Sequence, residues 1–233
     1  MNPNPHKIMR TLRVRNENVP GTLGHLLVLI GDQGGDIGSI RLLQENHHAK
    51  VRDVTVYADD ETHIERILRA ISDNPTTQVL AVRDEVLELH DKGKIAIRSR
   101  CAVDSLHILR RVYTPGVAEV CMKIARDPSL ARQYTATSHF VAIVTDGTAV
   151  LGLGDIGPLA GMPVMEGKAM LMETLVGLSG VPILLNSKDP DTIVETIATI
   201  APTFAAIQLE DISAPRCFEI EERLVERLEM PVM

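Results

Sequence analysis

The sequence predicts an α/β protein in two parts: an α+β N-terminal domain over residues 1–88, and a three-layer α/β domain with a mostly parallel sheet over residues 89–233. Two observations predict this organisation. Residues 8–83 follow the order β-α-β-β-α-β, which is the split-βαβ layout. From residue 140 onwards, short apolar strands alternate with helical patterns, which indicates βαβ units and parallel strands.

The N-terminal domain is predicted to contain four strands and two helices. The strands cover residues 8–14, 36–43, 51–57 and 78–83. The first helix falls in the apolar run over residues 25–31. Asp59 or Asp60 can cap the second, whose apolar residues have helical spacing: Ile64, Ile67, Leu68 and Ile71. This order predicts a ferredoxin-like fold.

The turn after the first strand contains the glycine-rich run Val19 to Gly24. With the βαββαβ order, residues 7–85 resemble an ACT domain, a regulatory module that commonly binds amino acids. An open helix N-terminus beside flexible backbone can receive an amino-acid carboxylate, so we expect an effector site at Asn18, Gly21 and Gly24. The alternative is a module used only for packing or dimerisation.

The C-terminal domain follows a connector over residues 85–90 and a turn over residues 91–94. Helical segments are predicted near residues 102–111 and 117–124, and Asp127-Pro128 reads as a helix start. The βαβ region then gives strands over residues 140–144, 181–185 and 204–209, with helices over residues 168–178, 190–200 and 215–228.

Composition excludes several classes of function. A net charge of −7, 3% aromatic residues and no Trp give no reason to expect nucleic acid or an anionic membrane as partner. No run of about 18 apolar residues is present, and the first residues lack the pattern of a signal peptide. Cys101, Cys121 and Cys217 fit neither a disulfide framework nor a zinc site. We therefore predict a cytoplasmic protein.

A glycine-dense loop leads from the strand at residues 140–144 to Lys168. Because glycine has no Cβ, many backbone N–H groups can approach a small anion there. Residues 152–157 also match the dinucleotide pattern G-x-G-x-x-G. That fingerprint requires a helix to open directly from the glycines, and Pro158 and Pro163 precede the predicted helix. We interpret the match as fortuitous.

Acidic residues follow two of the predicted parallel strands. Asp146 follows one strand, and Glu210 and Asp211 follow another. Ligands of open parallel sheets lie beyond the carboxyl ends of the strands, so these side chains could face one crevice. Carboxylate oxygens suit Mg²⁺ or Mn²⁺. The alternative is that Glu210 and Asp211 are solvated or cap the next helix.

Three separated motifs carry a resemblance to the malic enzyme family, which oxidatively decarboxylates malate to pyruvate. They are residues 113–118, residues 145–169 and residues 208–212, and the resemblance covers about residues 92–233. It implies Mg²⁺ or Mn²⁺ on Glu210 and Asp211, Lys168 as general base and Tyr113 as general acid. It assigns the glycine loop to the substrate side, through Gly152, Gly154, Asp155 and Gly157.

Two of these roles have plain structural alternatives. Lys168 lies at a predicted helix start, where the helix dipole disfavours a cation, which indicates a functional lysine. It could instead be a surface lysine. Tyr113, before Thr-Pro-Gly, could equally pack over a turn.

The chain departs from the family pattern at two places. Residues 135–139 replace a Lys-Gly-Asn turn that bacterial members tend to carry. The family would also continue beyond Met233 into an Asp-Asp-Gln-His-Gly segment and a Rossmann domain that binds NAD(P). We therefore expect this chain to hold half of an active site and to be inactive alone. We also expect a homodimer, because ACT domains and malic enzymes usually pair. The second hypothesis is a non-catalytic regulatory protein that binds an amino acid or a dicarboxylate.

Overall fold

The structure is a computed structural model that describes residues 7–233, so residues 1–6 of the predicted first domain lie outside the described residues. The chain divides into two compact units, Met1–Asp91 and Lys92–Met233. Within residues 7–233, no helix combines the length and apolar character that crossing a bilayer requires.

The first unit contains a four-stranded antiparallel sheet with the strand order β2-β3-β1-β4. Its elements are β1 (Ile8–Glu17), α1 (Thr22–Asp32), β2 (Asp36–Glu45), β3 (Ala49–Ala58), α2 (Glu61–Ser72), β4 (Thr77–Arg83) and α3 (Glu85–His90). The predicted order of the first six elements is present. Asp60 caps α2 by accepting a hydrogen bond from the His63 N–H.

The core of the first unit lies between the sheet and the two long helices. Alternate residues of β1 and β3 point to this side, because successive side chains of a strand face opposite ways. The buried apolar residues include Leu12, Val14, Val54, Val56, Leu26, Ile30, Ile67 and Ile71.

The predicted connector over residues 85–90 is in fact the helix α3. Asp84 caps it by accepting a hydrogen bond from the Leu87 N–H. The sequence pattern did not reveal this helix because its six residues are too few to show a helical period.

The second unit contains a three-stranded parallel sheet with the order β6-β5-β7, preceded by helical segments. Its elements are α4 (Leu106–Val112), α5 (Gly116–Arg126), α6 (Ala131–Tyr134), β5 (Phe140–Thr145), α7 (Pro158–Val176), β6 (Ser179–Leu184), α8 (Pro190–Ile200), β7 (Ala206–Leu209) and α9 (Arg216–Arg227). The chain is thus a mixed α/β protein with one antiparallel and one parallel sheet.

Helices cover both faces of the parallel sheet. On one face Ala142 and Val144 of β5 pack with residues of α8 and α9, among them Ile197 and Leu224. On the other face Ile143 packs with Met165 of α7. The central strand is therefore buried on both sides, as expected of a parallel strand between helical layers.

The prediction that a helix begins near Lys168 is wrong, because α7 begins at Pro158. Proline is favoured in the first turn of a helix, so Pro158 starts α7 instead of preventing it. Pro163 lies inside α7, where it has no N–H to donate to the preceding turn. Lys168 consequently lies in the middle of a helix, and the helix-dipole argument does not apply to it.

Candidate functional site

Residues that follow β5 and β7 meet at the carboxyl edge of the parallel sheet. The Glu210 N–H donates to the Val144 carbonyl at 2.8 Å, and the Ala149 N–H donates to the Asp211 carbonyl at 2.9 Å. These bonds continue the strand pairing past the strand ends. They fix the two carboxylates of Glu210 and Asp211 beside the start of the glycine loop.

Lys168 joins these carboxylates from α7. Its Nζ lies 3.0 Å from Oε2 of Glu210, in an ion pair whose side chains are 37% and 20% exposed. The Gln208 side-chain amide donates to the same Glu210 oxygen at 3.2 Å. The structure therefore brings Lys168 together with Glu210 and Asp211, which follow it by more than 40 residues in the sequence. We call these three residues the carboxylate–lysine cluster.

Asp211 is the unusual member of the cluster. Its backbone has φ +54°, a left-handed conformation that Asp adopts more readily than most residues. Its Oδ2 atom is buried and has no hydrogen-bond partner among residues 7–233. Burial raises the pKa of Asp211 above its ordinary value, the charge of Glu210 raises it further, and Lys168 acts in the opposite direction.

An orphaned, buried carboxylate oxygen beside a second carboxylate fits a hard divalent cation. Mg²⁺ in proteins is commonly held by one or two carboxylates, with water and substrate oxygens completing the shell. Among residues 7–233 no group of three or more His, Cys, Asp or Glu side chains is placed to hold a metal. Glu210 and Asp211 are two adjacent carboxylates, fewer than such a group requires.

Asp146 lies at the same edge in a different environment. It is 1% exposed, and its Oδ2 accepts a hydrogen bond of 2.6 Å from Nη2 of Arg216. The same Nη2 reaches Thr148 Oγ1 at 2.9 Å, and Thr148 in turn donates to Asp146 at 2.6 Å. Nη1 of Arg216 donates to the Lys188 carbonyl, so one guanidinium ties together loops that follow two strands.

Sequence reasoning missed Arg216, although a signal was available. Arg216 is the first residue of α9, directly after Pro215. A cation at a helix start is disfavoured by the dipole, which is the argument applied above to Lys168. The same argument applies to Arg216, because its ion pair with the buried Asp146 offsets the unfavourable interaction with the helix dipole.

The glycine loop is closed at its base. The N–H groups of Ile156 and Gly157 both donate to the Gly147 carbonyl at 3.1 Å. A Cβ on Gly147 would lie 2.2 Å from the Gly157 carbonyl oxygen, so only glycine fits there. Gly152 and Gly154 also have positive φ, at the exposed tip of the loop.

Asp155 is held at the rim of this loop by an ion pair with Lys188. Lys188 is the main cause that holds the pKa of Asp155 below its ordinary value. Because the Lys188 carbonyl is bound by Arg216, the predicted substrate loop is linked to the buried Asp146 network.

The prediction that Pro158 and Pro163 separate the glycines from the next helix is wrong, because α7 opens directly after Gly157. The loop still differs from the fingerprint on other grounds. β5 ends at Thr145, well before Gly152, whereas the fingerprint glycines form a tight turn directly after the strand. Pro158, at the first helical position, also has no N–H to offer a pyrophosphate.

Tyr113 does not join the carboxylate–lysine cluster by any hydrogen bond. It follows α4 directly, is 66% exposed, and its hydroxyl has no partner among residues 7–233. Its role as general acid stays a prediction.

The predicted effector residues lie around the start of α1. Gly21 is the N-cap with φ +92°, and no side chain of the described residues, 7–233, caps α1. The Asn18 side chain donates to the Asn46 carbonyl at 2.9 Å and so holds the β2–β3 turn. A cavity of about 560 Å³ lies beside Asn18. It is also lined by Arg15, Glu17, His47 and His48. Gly21 and Gly24 do not line this cavity.

Comparison with known proteins identifies the family. Residues 90–225 match the family model described as "Malic enzyme, N-terminal domain". The chain is 48% identical to NAD-dependent malic enzyme 1 of Bacillus subtilis (strain 168), over 97% of this chain and 52% of that protein. It is 46% identical to the NAD-dependent malic enzyme of Geobacillus stearothermophilus, over 95% of this chain and 46% of that protein.

A solved structure agrees with the sequence relatives. The crystal structure of malic enzyme from Pyrococcus horikoshii matches with a TM-score of 0.63 and 46% identity, over 64% of this chain and 36% of that one. The chain belongs to the malic enzyme family, whose N-terminal domain it contains. It spans about half the length of the two curated relatives.

Proposed function

We propose that this chain is the malate- and metal-binding portion of an NAD(P)-dependent malic enzyme, which converts malate to pyruvate and CO₂. The observation that carries the proposal is the carboxylate–lysine cluster, in which a potential proton acceptor lies 3.0 Å from one of two adjacent carboxylates. Membership of the malic enzyme family supports the reaction class.

Glu210 and Asp211 would hold Mg²⁺ or Mn²⁺. When bound, such a cation acts as a Lewis acid toward the C2 oxygen of malate. Lys168, whose Nζ lies 3.0 Å from Glu210, takes the proton of the C2 hydroxyl. Tyr113 returns a proton to C3 after CO₂ is lost. Gly152, Gly154, Asp155 and Gly157 border the substrate.

The remaining parts of the proposal concern the whole protein. Because the curated relatives are about twice as long as the matched region, we propose that NAD(P) binds outside residues 1–233, and that this chain alone is inactive. The homodimer and the cytoplasmic location stay predictions.

The test is NAD(P)H formation from malate by the whole protein. Lys168→Ala should lower kcat by about 10²- to 10⁴-fold, the usual contribution of a general base. Lys123→Ala is the matched control, since Lys123 is an exposed lysine paired with Glu119 on α5. A Lys168→Ala protein with the kcat of the control would contradict the assignment.

We further propose that the first unit is an ACT-type regulatory module that binds an amino acid near Asn18, Gly21 and Gly24. Support comes from the strand order β2-β3-β1-β4, the uncapped start of α1 and the neighbouring cavity. Thermal stabilisation by a panel of amino acids and dicarboxylates tests this proposal. Stabilisation by a member of the panel supports it, and no stabilisation by any leaves a module for packing.

A further inference from the structure

A short segment at the start of the second unit lies on α7. The segment is residues 93–95, which we call the strap. The Lys94 N–H donates to Oε2 of Glu166 at 3.1 Å, and Nζ of Lys94 donates to the Pro163 carbonyl at 2.7 Å. A Cβ on Gly167 would lie 3.7 Å from the same Nζ. The strap therefore contacts α7 over the single turn that contains these three helix residues.

The other two residues of the strap also fit this contact. Gly93 has φ +82°, a left-handed conformation that favours glycine, and a Cβ there would lie 2.6 Å from Oε1 of Glu166. Ile95 packs against the small core that contains Met165 of α7 and Ile143 of β5. Backbone, polar and apolar contacts thus hold the strap on the helix.

The turn of α7 beneath the strap is intrinsically weak. Pro163 has no N–H to donate to the preceding turn. Gly167 lies inside the helix, where glycine is unfavourable because it loses more backbone freedom than other residues. Lys168 follows Gly167 directly. Contacts from outside the helix are therefore needed to hold the backbone that carries Lys168.

Glu166 and Lys168 leave α7 on different sides. At 3.6 residues per turn, side chains two residues apart are about 200° apart around the helix axis. Glu166 accepts the hydrogen bond of the strap, whereas Nζ of Lys168 lies 3.0 Å from Oε2 of Glu210. The strap holds the turn from one side, and the carboxylate–lysine cluster lies on the other.

We propose that Glu166 and Lys94 are positioning residues for Lys168. By fixing the turn that precedes Lys168, they keep its amine at the carboxylate–lysine cluster. The inference rests on the proposed role of Lys168 as proton acceptor. A displacement of about 1 Å at a reacting group can lower a rate about 10²-fold, so loss of the strap contact should lower kcat. The KM for malate should change less, because the proposed metal and loop residues lie on other elements.

The test is the formation of NAD(P)H from malate by the whole protein, with variants at Glu166. Glu166→Ala removes the acceptor of the Lys94 N–H and should lower kcat about 10- to 10²-fold, with KM changed less than about twofold. Glu166→Gln retains an acceptor oxygen, so it should recover most of this loss. Glu173→Ala is the matched control, since Glu173 is an exposed glutamate on the same helix.

Lys94→Met tests the strap from its own side. It removes the contact with the Pro163 carbonyl and keeps the backbone N–H, so kcat should fall less than in Glu166→Ala. Lys92→Met is its control, because Lys92 is exposed and precedes the strap. Hydrogen exchange measured by mass spectrometry should be faster over residues 163–168 in Glu166→Ala and Lys94→Met than in the two controls.

The outcomes separate this inference from the proposed function. If Lys168→Ala is impaired and Glu166→Ala has the kcat of its control, the positioning role fails and the proposed function stands. An unaltered kcat in Lys168→Ala would overturn both. Equal losses in Glu166→Gln and Glu166→Ala, a rise in KM in place of a fall in kcat, or unaltered exchange over residues 163–168 would also overturn the positioning role.

Discussion

Two aspartates at the same edge of the parallel sheet have opposite surroundings. Asp146 is 1% exposed, and Arg216 and Thr148 satisfy its oxygens. Asp211 has a left-handed backbone and a buried oxygen that no group in the described part of the chain contacts by a hydrogen bond. Its pKa is raised, first of all by burial. A buried carboxylate is normally paired, because burying an unpaired charge is costly.

The difference between the two aspartates indicates a structural role for Asp146 and a ligand-binding role for Asp211. Arg216 is part of the chain, so Asp146 is satisfied permanently and can only hold loops in place. No group among residues 7–233 forms a hydrogen bond with Oδ2 of Asp211. The like charge of the neighbouring Glu210 further disfavours the ionised form of Asp211. A divalent cation would relieve both the orphaned oxygen and the repulsion. Three measurements of the free energy of unfolding test the surroundings of the two aspartates and of the loop between β5 and α7.

The largest effect is expected from Arg216→Met, which leaves Asp146 buried and unpaired. The free energy of unfolding should fall by about 3–5 kcal/mol, as for other buried pairs that lose one partner. Arg223→Met is the control on the same helix, since its ion pairs with Asp191 and Glu219 are exposed and should contribute little to stability. Urea unfolding of both proteins gives the comparison, and equal losses would contradict the structural role of Arg216.

A smaller effect is expected from Gly147→Ala at the base of the glycine loop. The added Cβ would lie 2.2 Å from the Gly157 oxygen, so we expect a loss of about 2–4 kcal/mol from steric overlap and backbone strain. Gly152→Ala shares the positive φ but meets no atom within 4 Å, so it should cost only about 1–2 kcal/mol. Thermal unfolding separates the two, and identical losses would show that the loop base is not closed as described.

The smallest effect, with the opposite sign, is expected from Asp211→Asn in metal-free protein. The raised folded-state pKa of Asp211 means that its contribution to stability is complete below the unfolded value and is lost as pH rises through the folded value. The variant should therefore match the unaltered chain at low pH. At neutral pH it should be more stable than the unaltered chain, because the amide carries no charge to be buried beside Glu210.

Glu222→Gln on the exposed side of α9 is the control for this experiment. Its stability should track the unaltered chain at both pH values. An Asp211→Asn protein that is less stable at neutral pH than at low pH, relative to the unaltered chain, would contradict the raised pKa.

The sequence predicted the elements with clear periods and failed for the short helix α3 and for the start of α7. Alternation and helical spacing located the strands and α2, and Asp189-Pro190 located the start of α8. The extent of α7 was missed because Pro158 and Pro163 were read as interruptions, although the first turn accepts proline. Lys168, Glu210 and Asp211 were found through motifs. The contact between Arg216 and Asp146 was not, because no local pattern links residues so far apart in the chain.

The central claim is that Glu210 and Asp211 bind a divalent cation, and titration of the chain with Mn²⁺ in a calorimeter tests it most directly. The unaltered chain should bind one Mn²⁺, more tightly as pH rises because the carboxylates must be ionised. Glu210→Gln and Asp211→Asn should each weaken binding about tenfold or more, close to 1.4 kcal/mol, while Glu222→Gln should not change it. Equal Mn²⁺ affinity in all four proteins, or no binding to any, would contradict the account.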